Sequence, residues 1–194
     1  MSLVVAIKHN DHVYFGADTQ TTAGKYKIYS NLEEDYKIFS TTTNVVVGLT
    51  GSVHAIQHVT FHPEWFDELK DQPLTKSHIV EVILPKLYEN LKQYDQLKTD
   101  EDGVKKLGLS MLIAKQDRLY RVYETGAVVI VPVFSAIGSG QNYALSYYRT
   151  CREEPIHDMM KNGLIFASKH VKSVGGDLTF LDTKTVKIER KQAK

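Results

Sequence analysis

Ser2 lies directly behind the initiator Met1 and in front of an apolar run, Leu3–Lys8, that has the composition of a β-strand. Removal of Met1 would give Ser2 both a hydroxyl, which can attack a carbonyl carbon, and a free α-amine. Because an α-amine has an unperturbed pKa of about 7.7 to 8.0, much of it is neutral at physiological pH and can take the hydroxyl proton. Ser2 is therefore a candidate nucleophile that supplies its own base. The competing interpretation is an ordinary small second residue or a remnant of cloning.

Further motifs follow Ser2 along nearly the whole chain. They are Gly16–Gly24 (GADTQTTAG), Tyr36–Phe39 (YKIF), Val45–Ser52 (VVVGLTGS), Ala136–Gly140 (AIGSG) and Ser173–Leu178 (SVGGDL). In order and spacing they resemble the proteasome β-type subunits and the related bacterial ATP-dependent peptidase subunits, in which an N-terminal Thr, less often Ser, opens the first strand. Each motif alone is moderately specific, so the resemblance rests on the set.

The resemblance implies roles for three residues around the nucleophile. Lys37 would lie beside Ser2 and favour loss of the hydroxyl proton, while Asp18 would hold the lysine and balance its charge. Gly51 would direct its backbone N–H at the developing oxyanion, since glycine lets a substrate approach the main chain closely. Simpler interpretations are a structural ion pair for Asp18 and Lys37 and a strand-to-helix turn for Gly51.

Two serines downstream match family residues that hydrogen-bond around the nucleophile's amine. These are Ser139 and Ser173, and the alternative is that both are ordinary serines in glycine-rich turns. The family usually has an Asp three residues before the second serine, where this chain has His170. An imidazole supplies no fixed negative charge and titrates near pH 6.5, so this departure counts against full activity.

The resemblance also implies a substrate groove. Thr22 and Gly51 would pair with an extended peptide through their backbones. Thr21, Leu49 and Val53 would line the pocket for the side chain that precedes the cleaved bond. Such a pocket predicts a preference for a medium-sized apolar side chain.

Hydrophobic periodicity predicts the order of elements. Strands are expected at Leu3–Lys8, His12–Ala17, Val45–Thr50, Leu109–Ala114, Leu119–Tyr123, Ala127–Val131, Leu178–Leu181 and Val186–Glu189. Helices are expected from Ser52, from Ser77 to Leu91, from Asn142 to Arg149 and from Glu154 to Val171. This order fits an α+β fold, a four-layer αββα sandwich of two antiparallel sheets between helix layers, in one domain spanning residues 1–194. We expect a neighbouring subunit to cover the apolar stripe of the Ser77–Leu91 helix.

Composition limits the class of protein. The 194 residues carry a net charge of +1 with 24% charged residues, which argues against capture of nucleic acid or an anionic membrane surface. The single Cys151 excludes an intramolecular disulfide and a cysteine-based metal cluster. Without a signal peptide or long apolar run, the chain is expected to be cytoplasmic. No cofactor is expected. The expected partners are a peptide or unfolded-protein substrate and copies of the same chain in a homo-oligomeric ring, with an ATPase as a further candidate.

A histidine stripe is the remaining candidate site. His54, His58 and His62 recur at every fourth position after Ser52, a spacing found in zinc sites on helices. However, no Glu follows His54, and Pro63 interrupts the helix beyond His62. We therefore expect no metal and a solvated or subunit-facing stripe.

Two functions from different classes stay open. One is a proteasome-like peptidase that cleaves peptide bonds with Ser2. The other is a proteasome-like ring subunit that has lost catalysis and serves as a structural or peptide-binding element. The Ser in place of the commoner Thr, and His170, favour the second.

Overall fold

The computed structural model describes residues 2–23, 26–29, 35–95 and 97–192. The strands are β1 (Leu3–His9), β2 (His12–Asp18), β3 (Gln20–Ala23), β4 (Tyr26–Tyr29), β5 (Ile38–Ser40), β6 (Val46–Gly51), β7 (Lys98–Thr99), β8 (Lys105–Lys106), β9 (Leu109–Lys115), β10 (Arg118–Val122), β11 (Val128–Ile130), β12 (Phe134–Gly138), β13 (Leu178–Asp182) and β14 (Glu189–Lys191). The helices are α1 (Val53–Thr60), α2 (Lys76–His78), α3 (Leu84–Gln93), α4 (Gln141–Thr150) and α5 (Ile156–His170), with a 3₁₀ segment at Pro63–Leu69 and a π-helical turn at Ile79–Ile83. Met1, whose removal the sequence predicts, and Gly24 lie outside the described residues.

Two antiparallel five-stranded sheets form the centre of the fold. The first has the strand order β12-β1-β2-β13-β14 and is covered by α4 and α5. The second has the order β11-β10-β9-β6-β5 and is covered by α1, α3 and the segments between them. The αββα prediction is confirmed.

The strand β1 shows why its sequence is apolar almost throughout. Val4 and Ala6 point into the cluster between the two sheets, whereas Leu3, Val5 and Ile7 pack beneath α4 and α5. Because both faces of the strand are covered, the usual alternation of polar and apolar residues disappears. All five side chains are at most 1% exposed, so β1 is a fixed base for the residue in front of it.

The helix around α3 departs from its expected role. Ile79, Ile83, Leu87 and Leu91 are at most 1% exposed and pack against the second sheet of the same chain. The prediction that this stripe is covered by a neighbouring subunit is therefore wrong. Pro85 stands in the first turn of α3, directly after the π-helical turn, where its missing N–H costs little.

Several strand ends meet at one edge of the sandwich. Leu3 of β1 pairs with Gly138 of β12, and Asp18 at the end of β2 pairs with Leu178 of β13. In the second sheet, Gly51 at the end of β6 pairs with Leu109 of β9. This edge holds the residues discussed below.

The last strand begins later than the sequence predicts. Val186 has a φ of 49°, a left-handed conformation that a strand cannot contain, and β14 starts at Glu189. Among the described residues, no helix is both long and apolar enough to cross a membrane.

Candidate active site

Ser2 precedes β1 and is 6% exposed. A Cβ added to Gly138 would overlap the Ser2 carbonyl oxygen, and Gly138 has a φ of 97°. Only glycine fits this position, because both the left-handed backbone and the close approach of Ser2 exclude a side chain. The turn after β12 therefore fixes the main chain of Ser2.

Asp18 and Lys37 form a buried ion pair. The Lys37 Nζ lies 2.6 Å from Asp18 Oδ1, and the two side chains are 5% and 0% exposed. Lys37 also donates a hydrogen bond of 2.7 Å to the carbonyl oxygen of Gln20. Burial lowers the pKa of the Lys37 amine, and the Asp18 carboxylate acts in the opposite direction by stabilising the charged form.

Asp18 connects three parts of the site. Its Oδ1 accepts a 2.8 Å hydrogen bond from the backbone N–H of Leu3, next to Ser2. Its Oδ2 accepts a 3.0 Å bond from the N–H of Gly175, in the turn that carries Ser173. One carboxylate thus holds Lys37, the start of β1 and this turn in a fixed arrangement.

Ser139 and Ser173 are also brought together. Their hydroxyl oxygens are 2.9 Å apart, and the Ser139 hydroxyl donates a 3.4 Å bond to the carbonyl oxygen of Ser2. Both residues are half-buried and come from turns 34 residues apart in sequence.

The side chain of His170 packs against aromatic rings. It is the last residue of α5, and its exposed ring stacks on Tyr143 with centroids 5.0 Å apart and an interplanar angle of 5°. A second ring, Phe166, lies 4.6 Å away. Within the described part of the chain, no hydrogen bond joins His170 to either serine.

A cavity of about 230 Å³ opens beside Ser2 and Lys37. Its wall is formed by Ser2, Thr21, Ile28, Asp35, Tyr36, Lys37, Gly51, Val53, Ile56, Gln57 and Thr60. We call it the apolar cavity, since aliphatic and aromatic side chains from β4, α1 and the segment before β5 contribute to it. Its wall includes both Ser2, the candidate nucleophile, and Lys37, the lysine expected to lie beside it.

The predicted groove residues are divided by the structure. Thr21 and Val53 line the apolar cavity, whereas Leu49 is fully buried in the core under the second sheet. Thr22 is half-buried on β3, where its hydroxyl accepts a 3.4 Å bond from Gln20. The sequence analysis missed Ile56 and Thr60, although their helical spacing from Val53 places them on the same face of α1.

A second cavity, of about 390 Å³, lies on the Ser139 side of Ser2. Its wall is formed by Ser2, Thr50, Gly51, Ser52, Lys98, Gly108, Ser110, Arg121, Glu124, Gly138, Ser139 and Gln141. We call it the polar cavity. Sequence reasoning did not find it, because Lys98 and Arg121 come from hairpins that no motif marks.

Gly51 belongs to both cavities and has a φ of 142°. A Cβ at this position would overlap the carbonyl oxygen of Gly108 and lie 2.6 Å from the Leu109 Cα. The backbone of Gly51 is therefore held between β9 and the start of α1, with its main chain next to Ser2.

We expect Gly51→Ala to lower the free energy of unfolding by at least about 2 kcal/mol, through strain and overlap together. Gly103→Ala is the matched control, because Gly103 has a φ of 78° but no atom within 4 Å of an added Cβ. It should cost only about 1 kcal/mol. Urea denaturation of both variants measures the difference, and equal costs would contradict the close packing described for Gly51.

The histidine stripe shows no metal geometry. The rings of His54 and His58 lie 5.0 Å apart, His58 packs on Tyr94, and His62 stacks on Trp65. Among the described residues, no group of three or more His, Cys, Asp or Glu could hold a metal ion. Partial burial, with the neighbouring histidines, lowers the pKa of His58.

Comparison with known proteins places this arrangement in a family. The family model for the proteasome subunit matches residues 2–165. Thiobacillus denitrificans BPH has a similar structure, with a TM-score of 0.74 and 22% sequence identity over 93% of this chain and 96% of that one. For the same protein in complex with epoxomicin, the TM-score is 0.76 and the sequence identity is 21%, over 93% of this chain and 97% of that one. For eukaryotic HslV from Trypanosoma brucei, the TM-score is 0.69 and the sequence identity is 16%, over 93% of this chain and 98% of that one.

At these identities the structural matches show a common fold. A search of curated proteins finds no match. The family model covers most of the chain, from Ser2 to the middle of α5. The chain belongs to the proteasome subunit family.

Proposed function

We propose that the chain is a peptidase that hydrolyses peptide bonds with Ser2 as its nucleophile once Met1 is removed. The observation that carries the proposal is the apolar cavity, which holds Ser2, Lys37 and Gly51 together. The buried pair of Asp18 and Lys37 places an amine, held by a carboxylate, in the wall of the same cavity as Ser2.

The chemistry assigned to these groups balances without a cofactor. The Ser2 α-amine takes the hydroxyl proton as Oγ forms a bond to the substrate carbonyl carbon. The Lys37 cation favours the negative oxygen, and the Gly51 N–H donates to the developing oxyanion. Collapse breaks the C–N bond, and the leaving amine takes the proton from the α-amine. A water molecule then hydrolyses the Ser2 ester and restores the hydroxyl.

The substrate follows from the shape of the site. An extended peptide or unfolded protein would place an apolar side chain in the apolar cavity, against Val53 and Ile56. Members of the proteasome subunit family assemble into oligomeric rings, and we propose that this chain forms a homo-oligomeric ring, with an ATPase as a candidate partner that delivers substrate.

A second candidate function is an inactive ring subunit that binds or encloses peptides without cutting them. One observation favours it. The position of the family's acidic residue is held by His170, whose ring stacks on Tyr143. A histidine at this position supplies no fixed negative charge to orient the α-amine through Ser173.

The variant His170→Asp separates the two candidates. If the protein is a peptidase whose Ser2 α-amine is poorly oriented, the variant should cleave a fluorogenic peptide about tenfold faster than the parent protein. This factor is equivalent to about 1.4 kcal/mol of transition-state stabilisation. His157→Asp, on the exposed first turn of the same helix, is the matched control and should leave the rate unchanged.

The assay uses protein whose intact mass shows that it begins at Ser2. Activity in the parent protein that His170→Asp increases supports the peptidase. Inertness of both proteins toward a broad peptide panel would reject it in favour of the inactive ring subunit.

A further inference from the structure

The two cavities flank the same atoms. Ser2 and Gly51 line both of them, whereas their remaining wall residues differ completely. A substrate whose carbonyl carbon lies at Ser2, with the preceding side chain in the apolar cavity, would direct its leaving nitrogen toward the polar cavity. The residue after the cleaved bond would enter the polar cavity first.

The walls of the two cavities differ in their share of aliphatic and aromatic residues. The wall of the polar cavity contains no aliphatic or aromatic residue, and three of its residues carry ionisable side chains of the Lys, Arg or Glu type. Two of these, Lys98 and Arg121, are cations, and Glu124 is the single anion. The balance of the wall is positive.

Arg121 is held in a fixed position. One terminal nitrogen donates 3.2 Å to the Ala136 carbonyl oxygen, and the other donates 3.0 Å to Gln141 Oε1. The guanidinium also lies 4.4 Å from the ring centroid of Tyr123. These contacts use two of the four terminal N–H groups, so the guanidinium keeps donors for a ligand while losing little freedom when it binds one.

Lys98 is the second cation of the wall. Its side chain is exposed and its stem runs beside Gly108, where an added Cβ would lie 3.5 Å from Cε. Within the described residues, Lys98 forms no ion pair, and neither does Glu124. The lysine charge is thus available to an incoming group.

Two helices begin at this cavity and add to its positive potential. Ser52 precedes α1 and Gln141 opens α4, and both are wall residues. Neither helix has a side-chain cap or an acidic residue in its first turn. The partial positive charge of their N-terminal N–H groups is therefore not neutralised by the chain itself.

We propose that the polar cavity is a specificity subsite for an acidic side chain in the residue that follows the cleaved bond, recognised by Lys98 and Arg121. This inference rests on the proposed peptidase function and specifies its substrate class: an apolar residue before the bond and Asp or Glu after it.

The test compares internally quenched peptides that differ only in the residue after the cleaved bond, which is Asp, Asn or Lys. For processed protein, kcat/KM should be highest for Asp and lowest for Lys. The preference for Asp over Asn should be roughly fivefold at low salt, the upper range for a partly exposed ion pair. It should shrink as ionic strength rises, because salt screens such pairs.

The variant Lys98→Glu should reverse the order, so that Lys is preferred over Asp. Lys76→Glu, the same charge change at an exposed position on α2, should leave the wild-type order intact. An unchanged Asp-to-Asn ratio in Lys98→Glu, or a wild-type preference for Asn or Lys, would overturn the subsite.

A peptidyl coumarin amide, which has no amino acid after the cleaved bond, separates this proposal from the peptidase itself. Wild type and Lys76→Glu should cleave it at equal rates. Cleavage of the amide without a preference for Asp would reject the subsite alone, whereas inertness toward the amide and all peptides would reject the peptidase and the subsite with it.

Discussion

Ser2→Ala is expected to reduce peptide hydrolysis by a factor of at least about 10³ while leaving the free energy of unfolding unchanged. The reason for the lost activity is that the hydroxyl is the only group assigned to form the covalent bond with substrate. The reason for the retained stability is that the Ser2 side chain donates no hydrogen bond to any described residue, whereas its backbone carbonyl, which binds Ser139, is kept.

The matched variant is Ser2→Thr, which keeps a hydroxyl and a free α-amine. It should retain measurable hydrolysis in the same assay. Rates are measured on protein shown by intact mass to begin at residue 2, and unfolding is followed in urea. Substantial hydrolysis by Ser2→Ala would mean that another residue forms the bond.

Lys37→Met is expected to abolish activity and to destabilise the fold by about 3–5 kcal/mol. Its removal leaves the Asp18 carboxylate charged, buried and without its cation, although Asp18 still accepts from Leu3 and Gly175. Asp18→Asn should cost a comparable amount, since it leaves the lysine unpaired. The double variant should lose less stability than the sum of the two, because neither buried charge remains.

Lys115→Met is the control for activity. The Lys115 amine is buried and donates to the carbonyl oxygens of Leu69, Lys70 and Gln72, at the opposite end of β9 from Leu109, which pairs with Gly51. Its loss should weaken the fold without changing kcat/KM of the remaining folded protein. Full activity in Lys37→Met would contradict the electrostatic role of Lys37.

Part of the site is marked in the sequence by glycine. Ser139 and Ser173 stand in glycine-rich turns, and the close approach of Gly138 to Ser2 shows why a side chain is excluded there. The apolar run of β1 likewise predicts a strand. These signals are local, so a single sequence carries them.

The polar cavity has no local signal. Arg121 reaches the cavity beside Ser2 because β10 pairs with β9 and β9 pairs with β6, whereas Lys98 is carried there by a separate hairpin of β7 and β8. Leu49 shows the same limit, since membership in an apolar strand does not reveal whether a side chain faces a cavity or the core. The apolar stripe of α3 shows a further limit, because its periodicity is the same whether the stripe packs against a sheet of its own chain or against a partner subunit.

The most direct test of the nucleophile is to trap it. Processed protein is incubated with a peptide vinyl sulfone that carries an apolar side chain, and the modified residue is mapped by mass spectrometry of proteolytic fragments. We predict a single adduct on the N-terminal fragment at Ser2, absent from Ser2→Ala. An adduct at another residue, or none on protein that cleaves peptides, would contradict the assignment of Ser2.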